Sequence, residues 1–347
     1  MQTREQPGPG ASKKALTLHR AARIDDAFLD WRARRGRKRG LAPTVIPYAG
    51  YGSTKLVRVL ARVLLTKPDA TPAAPVQRVR GWRSFTSIPV VNAAVTINVG
   101  GETHVVQADR GGVIDADISV SLTPGWQQIT LQSENSRPVV ANVFIADPAV
   151  RVGVVSDIDD TVMVTLLPRP LLAAWNTFVL DEHARTPVPG MAVLLERLVR
   201  KQPGTPMIYL STGAWNVAPT LSRFLSRHLY PAGSLLLTDW GPTHDRLFRS
   251  GRKHKADNLR RLAAEFPDVR WILVGDDGQH DEEIYGEFSD EFPGRVAAVA
   301  IRQLSPGEAV LAGGRSKGES HGRDTAPWIY APDGAGLLEQ LDKLGLV

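Results

Sequence analysis

The 347-residue sequence predicts an α/β unit built on a parallel sheet, preceded by an antiparallel β-sandwich. Two patterns and one absence support this. Up to about Ala146 the chain runs in short segments of alternating polarity, such as Ala94 to Val99, Ile118 to Leu122 and Gln128 to Leu131, separated by Gly-Gly and Pro-Gly turns. Alternation over such lengths, punctuated by turn residues, is the mark of half-buried antiparallel strands. After Asp147-Pro148 the strands become unbroken apolar runs that alternate with helical patterns, as in a parallel sheet covered on both faces. Cysteine is absent, so no disulfide framework, thiolate zinc site or cysteine nucleophile is available, and a core must come from packing alone. A chain of this length, with 43% hydrophobic residues, has room for about two such cores.

The elements follow in order. Residues 1–40 form a basic arm, partly helical or disordered, in which Leu16, Ala27, Phe28 and Trp31 lie among charges. Residues 41–147 form the β-sandwich. Residues 148–312 form the α/β unit, with strands at Val152–Ser156, Met207–Leu210, Leu235–Leu237, Trp271–Val274 and Val296–Ile301. Met191, Leu194, Leu195 and Leu198 recur on one helical stripe between the first two strands, and Pro189-Gly190 opens that helix. Residues 313–347 are a Gly/Ser-rich linker and a short helix from Leu337 to Leu346.

The formal charge of +6 is not spread evenly. The first forty residues hold 11 Lys+Arg and 4 acids, so the remainder of the chain sums to −1. Any argument for an anionic partner therefore belongs to residues 13–39, as a solubilising tail or as a peripheral contact with anionic membrane. Nucleic acid is not expected, because Phe28 and Trp31 precede the basic run Arg32 to Arg39 and do not interleave with it to stack bases. No apolar run approaches the ~18 residues that a spanning helix needs, and Met1 to Gly10 lacks the apolar core of a secretory signal. The expected location is cytoplasmic, with the arm open to membrane contact; the oligomeric state is not legible.

In a parallel α/β sheet the working residues lie beyond the carboxyl ends of the strands. The first strand runs into Ser156-Asp157-Ile158-Asp159-Asp160-Thr161. Carboxylates at i and i+2 can both face the crevice while Ile158 turns away, which suits one nucleophile and one acid/base. The second strand ends in Ser211-Thr212-Gly213, a hydroxyl and a pliant backbone suited to a phosphoryl oxygen. Lys255 follows at the start of an amphipathic helix carrying Leu259, Leu262 and Phe266. The fourth strand ends in Gly275-Asp276-Asp277-Gly278-Gln279-His280-Asp281, whose acids can complete an oxygen-ligand site for a hard cation.

Asp-x-Asp-x-Thr, then Ser, then Lys, then Gly-Asp-(x)4-Asp in this order resembles the haloacid dehalogenase superfamily of phosphotransferases. More narrowly, Asp157 to Thr161, Tyr209-Leu210-Ser211 with Trp215-Asn216, and Gly275-Asp276 through Gln279, Asp281, Glu283 and Tyr285 are similar to the catalytic domain of the actin patch protein 1 family of phosphatidate phosphatases, to which lipins are related. The narrow resemblance covers about residues 150–305 and includes bacterial members that carry a preceding β-domain. It implies a Rossmann-like sheet with a small cap or none, Mg²⁺ as cofactor and a phospholipid substrate. Asp157 would form an aspartyl-phosphate, and Asp159 would protonate the leaving alcohol and then activate water. Mg²⁺ would be held by Asp157, Asp159 through its carbonyl, and Asp276, with Asp281 either a ligand or a neighbour of one. Ser211 and Lys255 would stabilise the transferring phosphoryl group, with Thr161, Thr212 and Gly213 contacting substrate. Asp277 stands where fungal members commonly have Ser, which leaves the carboxylate count at the metal open.

The resemblance points to phosphatidate hydrolysis to diacylglycerol, and the short stretch between Asp157 and Ser211 suits an open site for a bulky phosphomonoester. Phosphatases for phosphoprotein or nucleic-acid ends share these motifs, and a phosphatidate-binding module without turnover is the alternative from another class. Taken singly, Asp-x-Asp after a strand is more often a cap or turn pair, and Asp160 is read that way. His244, His254 and His280 match no zinc spacing, and Trp175, Trp215 and Trp240 are read as packing residues.

Overall fold

The structure, a computed structural model, describes residues 31–67, 88–164, 186–238, 244–278, 280–311, 314 and 326–347, with 244–250 described by backbone alone. Most of the basic arm and of the 313–324 linker lies outside these residues. Residues 31–38 form helix α1.

Nine strands follow: β1 (Ala42–Pro47), β2 (Gly50–Ser53), β3 (Leu56–Thr66), β4 (Ile88–Pro89), β5 (Ala94–Val99), β6 (Glu102–Gln107), β7 (Val113–Ser119), β8 (Gly125–Ser133) and β9 (Val139–Ile145). Where an antiparallel β-sandwich is expected, hydrogen bonding joins the described strands into one sheet of order β1-β3-β2-β9-β8-β5-β6, with β4 and β7 also on β3. The cause is β3, whose 11 residues pair with β1, β2, β4 and β7. All pairs are antiparallel except β2 with β9. Alternate side chains, among them Val57, Val59, Val63, Val95, Ile97 and Ile129, share one buried apolar cluster, as period-2 patterning dictates.

The second sheet has the order β14-β13-β10-β15-β16-β17 and every pair in it is parallel. Its strands are β10 (Val152–Ser156), β13 (Met207–Ala214), β14 (Ser234–Thr238), β15 (Arg270–Asp276), β16 (Val296–Arg302) and β17 (Trp328–Ala331). A two-stranded antiparallel pair of β11 (Met163–Val164) and β12 (Thr186–Pro187) follows β10. The chain steps outward from β10 to β13 and β14, then crosses to β15 on the other side of β10. That reversal opens a crevice at the carboxyl ends beside β10. The five expected strands are present; β17 was not anticipated, because Trp328-Ile329-Tyr330 is too short to show a pattern.

The helices are α2 (Met191–Lys201), α3 (Ala218–Arg227), α4 (His244–Glu265), α5 (Asp281–Glu291), α6 (Pro306–Leu311) and α7 (Gly334–Lys343). Helix α2 buries Met191, Leu194, Leu195 and Leu198, each leucine contributing about 2 kcal/mol. Gly190 begins it at φ 73°, and a β-carbon there would lie 2.6 Å from the Ala335 nitrogen, so α7 docks only against glycine. Helix α4 packs on β13 and β14, and α5 on β15 and β16. Lys255 lies midway along α4 instead of at a helix start, because the helix begins eleven residues earlier, at His244.

The two sheets meet through buried groups. Tyr51, Leu60 and Val113 belong to the apolar cluster of the parallel sheet. Tyr51 packs on Phe266 with ring centroids 6.0 Å apart, and Phe266 meets Trp271 edge-on at 5.7 Å.

Candidate active site

Asp157 leaves the end of β10 with its amide still bonded to Val274 O at 2.9 Å, so the backbone of β15 sets its direction. Ile158 is fully buried in the core, as its place between two crevice-facing carboxylates requires. The turn then closes tightly. Asp160 adopts φ 58° and donates its amide to Met163 O, while Val162 and Met163 both donate to Ile158 O. The Tyr230 hydroxyl donates to Val162 O at 2.7 Å, and Arg302 Nη1 donates to Asp160 O at 2.7 Å. A loop fastened from both sides presents its carboxylates without searching.

The Ser211 hydroxyl donates to Asp159 Oδ2 at 3.0 Å and accepts from the Gly213 amide at 2.9 Å. Thr212 is exposed at the end of the strand, and its carbonyl accepts from Thr238 Oγ1. Lys255 Nζ lies 2.6 Å from Asp157 Oδ1 and 2.6 Å from Asp281 Oδ1. Asp157, Asp276 and Asp281 are all buried and offer carboxylate oxygens that lie within 4.8 Å of one another. Thr161, also buried, donates to Asp276 Oδ2 at 3.4 Å, so it faces the acid cluster. Gly275 makes room for this arrangement, since a β-carbon there would come within 2.6 Å of Asp281 Oδ2.

Three carboxylates share one ammonium. Burial, reinforced by Asp281, Asp159 and Asp276 against the opposing Lys255, raises the Asp157 pKa well above the usual carboxylate range. Burial and then Asp281 do the same to Asp276. Burial opposes the charge on Lys255, but Asp157 and Asp281 outweigh it and keep the ammonium protonated. A cluster of hard oxygen donors with surplus negative charge fits a small divalent cation such as Mg²⁺.

The structure sorts the neighbouring residues. Asp277 accepts the Leu304 amide at 2.8 Å and is outside the converging trio. His254 is packed against Leu236 O and Asn258, and burial lowers its pKa to about 4. His280 pairs with Glu283 on the surface. Trp215 is buried and stacks on Tyr48, while Trp175, Trp240 and the His244 side chain lie outside the described residues. Arg302, buried and bound to Glu308 at 2.7 Å, was not singled out in the sequence, although it ends an apolar strand as the site acids do.

Fold and site together define an α/β protein with a buried carboxylate and lysine centre at the strand ends. Residues 152–303, which span every residue of that centre, match the family model for the catalytic domain of phosphatidate phosphatase APP1. Phosphatidate phosphatase APP1 of Saccharomyces cerevisiae is 24% identical over 155 residues, 44% of this chain and 26% of that protein. An uncharacterized protein of Schizosaccharomyces pombe is 24% identical over 183 residues, 51% of this chain and 30% of its own length. The chain thus spans less than a third of either relative. A carbohydrate acetylesterase from Xanthomonas citri aligns over 82% of this chain and 75% of its own at 11% identity and a TM-score of 0.29, too low to carry an argument.

Proposed function

We propose that the centre is that of a Mg²⁺-dependent phosphomonoester hydrolase of the haloacid dehalogenase type, with phosphatidate as substrate and diacylglycerol and phosphate as products. The observation that carries it is the pairing of a lysine-held Asp157 with Asp159, whose carboxylate accepts from Ser211. A phosphatase needs both a nucleophile and a second acid to discharge it. The family match and the strand order, with its reversal beside β10, support the same reading.

An Asp157 oxygen attacks phosphorus, forming the aspartyl bond as the bond to the leaving alcohol oxygen breaks. Asp159 gives that oxygen its proton. Asp159 then takes a proton from water, whose oxygen attacks phosphorus and releases the Asp157 carboxylate with inorganic phosphate. Ser211, oriented by the Gly213 amide, and Lys255 stabilise charge on the transferring group. Asp157, Asp276 and Asp281, with the Asp159 carbonyl, would hold Mg²⁺, which would neutralise charge at the phosphoryl oxygens. We extend the proposal to a cytoplasmic enzyme whose residues 13–39 touch anionic membrane. Among the described residues no helix is long and apolar enough to cross a membrane.

Purified protein given phosphatidate in mixed micelles should release phosphate only with Mg²⁺. No release, or full activity in Asp157→Asn, would contradict the proposal. Competition with phosphopeptides and 5′-phosphorylated oligonucleotides, scored by kcat/KM, should favour the lipid.

A further inference from the structure

Helix α4 carries Lys255 near its middle and ends in a group of ion pairs with the antiparallel sheet. Arg58 of β3 reaches Glu265 at 2.6 Å through Nη2 and at 2.8 Å through Nε, and Asp115 of β7 at 2.7 Å through Nη1. Arg261 reaches the other oxygen of Asp115 at 2.8 Å. Apolar packing holds a helix against a sheet but resists sliding along its own axis weakly, because it has no direction. A forked guanidinium has direction. The Arg58 fork ties the end of α4 to β3, along the same helix that brings Lys255 to Asp157 and Asp281. The same sheet touches the other half of the site. Tyr48 stacks on Trp215 with centroids 4.9 Å apart and planes inclined by 26°, and its hydroxyl donates to Trp215 O at 3.5 Å. Trp215 begins the turn that ends β13, four residues after Ser211.

We propose that Arg58 and Tyr48 are positioning residues, and that the antiparallel sheet clamps the Lys255 helix and the Ser211 strand end into register with Asp157. The sheet is then a working half of the site. This rests on the phosphatase reading for its activity test and on geometry alone for a second readout.

The test uses the full chain with p-nitrophenyl phosphate and Mg²⁺. Arg58→Met/Glu265→Gln removes both members of the buried pair, and Asp115 keeps Arg261 as its partner, so no uncompensated buried carboxylate burdens the fold. That double variant and Tyr48→Leu should each lose roughly tenfold or more in kcat, with KM within about twofold, since displacement of about 1 Å affects turnover more than binding. Arg58→Lys, which keeps a charge but not the fork, should recover part of the loss. Amide hydrogen exchange across residues 251–262 should accelerate in the double variant while strands β15 and β16 stay protected. Wild-type kcat in a folded double variant would overturn the inference. If the wild type hydrolyses no phosphomonoester, the phosphatase reading fails and exchange decides alone: unchanged protection of 251–262 overturns the clamp. If the double variant does not fold, Tyr48→Leu decides by kcat and by exchange across residues 211–217.

Discussion

The two charge clusters along α4 differ in how their charges are matched. Near its C-terminal end, two guanidinium groups, Arg58 and Arg261, pair with Asp115 and Glu265, and Arg58 also lies 3.8 Å from Asp117, most of whose side chain is in solvent. Burial opposes the Asp115 charge, but Arg261 and Arg58 outweigh it and lower its pKa. At mid-helix, three carboxylates face one ammonium, and the pKa values of Asp157 and Asp276 rise. A balanced cluster is scaffolding, because its charges satisfy one another. An unbalanced one stores a demand for a cation, and such stored demand is how a binding site differs from a joint.

The largest effect is expected at Asp157, the proposed nucleophile. Asp157→Asn keeps the shape and should reduce kcat by roughly a thousandfold or more on any phosphomonoester. Initial-rate kinetics at saturating Mg²⁺ checks this.

Next comes stability without metal. Asp276→Asn removes one surplus charge and should leave the metal-free protein at least as stable as the wild type, since sites are commonly built at the expense of stability. Asp115→Asn should cost about 2 kcal/mol, less than a fully buried pair would, because 35% of the Asp115 side chain is in solvent. Urea unfolding of both variants in EDTA measures the contrast.

The same contrast predicts opposite responses to pH. A carboxylate whose folded pKa is raised binds protons more readily folded than unfolded, so Asp157 and Asp276 make the metal-free protein less stable as pH rises above about 4, through their folded pKa values. Asp115, with its pKa lowered, contributes stability that is present above its ordinary value and lost as pH falls through the folded one. His254, its folded pKa lowered to about 4, loses stability over the same window whatever happens at the acids, so lowering pH from about 7.5 to about 5 in EDTA should raise the Tm of the wild type relative to that of Asp276→Asn, and saturating Mg²⁺ should shrink that difference by stabilising the ionised site.

The smallest effect is expected on the outer side of α4, where Arg260 pairs with Glu291 in solvent at 2.7 Å. Arg260→Ala should change stability by less than about 1 kcal/mol and kcat not at all, as exposed pairs contribute little.

The difference between the clusters also explains what was legible in the sequence. Asp157, Asp159, Ser211 and Asp276 follow apolar strands, so their place at one end of a parallel sheet could be read from pattern alone. Lys255 was legible as a residue type in order, but its place midway along α4 was not, since His244 to Lys253 sets only Leu247 and Phe248 among polar residues and Gly251, with no apolar stripe to announce a helix. Arg58 was invisible: it alternates with valines in β3 like any solvent-facing residue, and its burial depends on α4 docking against that face. The joining of the nine strands into one sheet was hidden for a related reason. Alternation shows which face of β3 is buried, but not that both of its edges find partners. Local pattern reports a strand's faces; contacts between distant segments report its edges and joints.

The central claim, that Asp157 becomes covalently phosphorylated and Asp159 discharges it, is tested most directly by trapping. Asp159→Asn protein mixed with a phosphomonoester and Mg²⁺, quenched in acid and digested, should yield a peptide spanning Asp157 that carries one phosphoryl group, absent when Asp157→Asn is combined with it. Phosphate release by the wild type with no phosphoryl group on Asp157 in the Asp159→Asn protein, or with the group on another residue, would contradict the account.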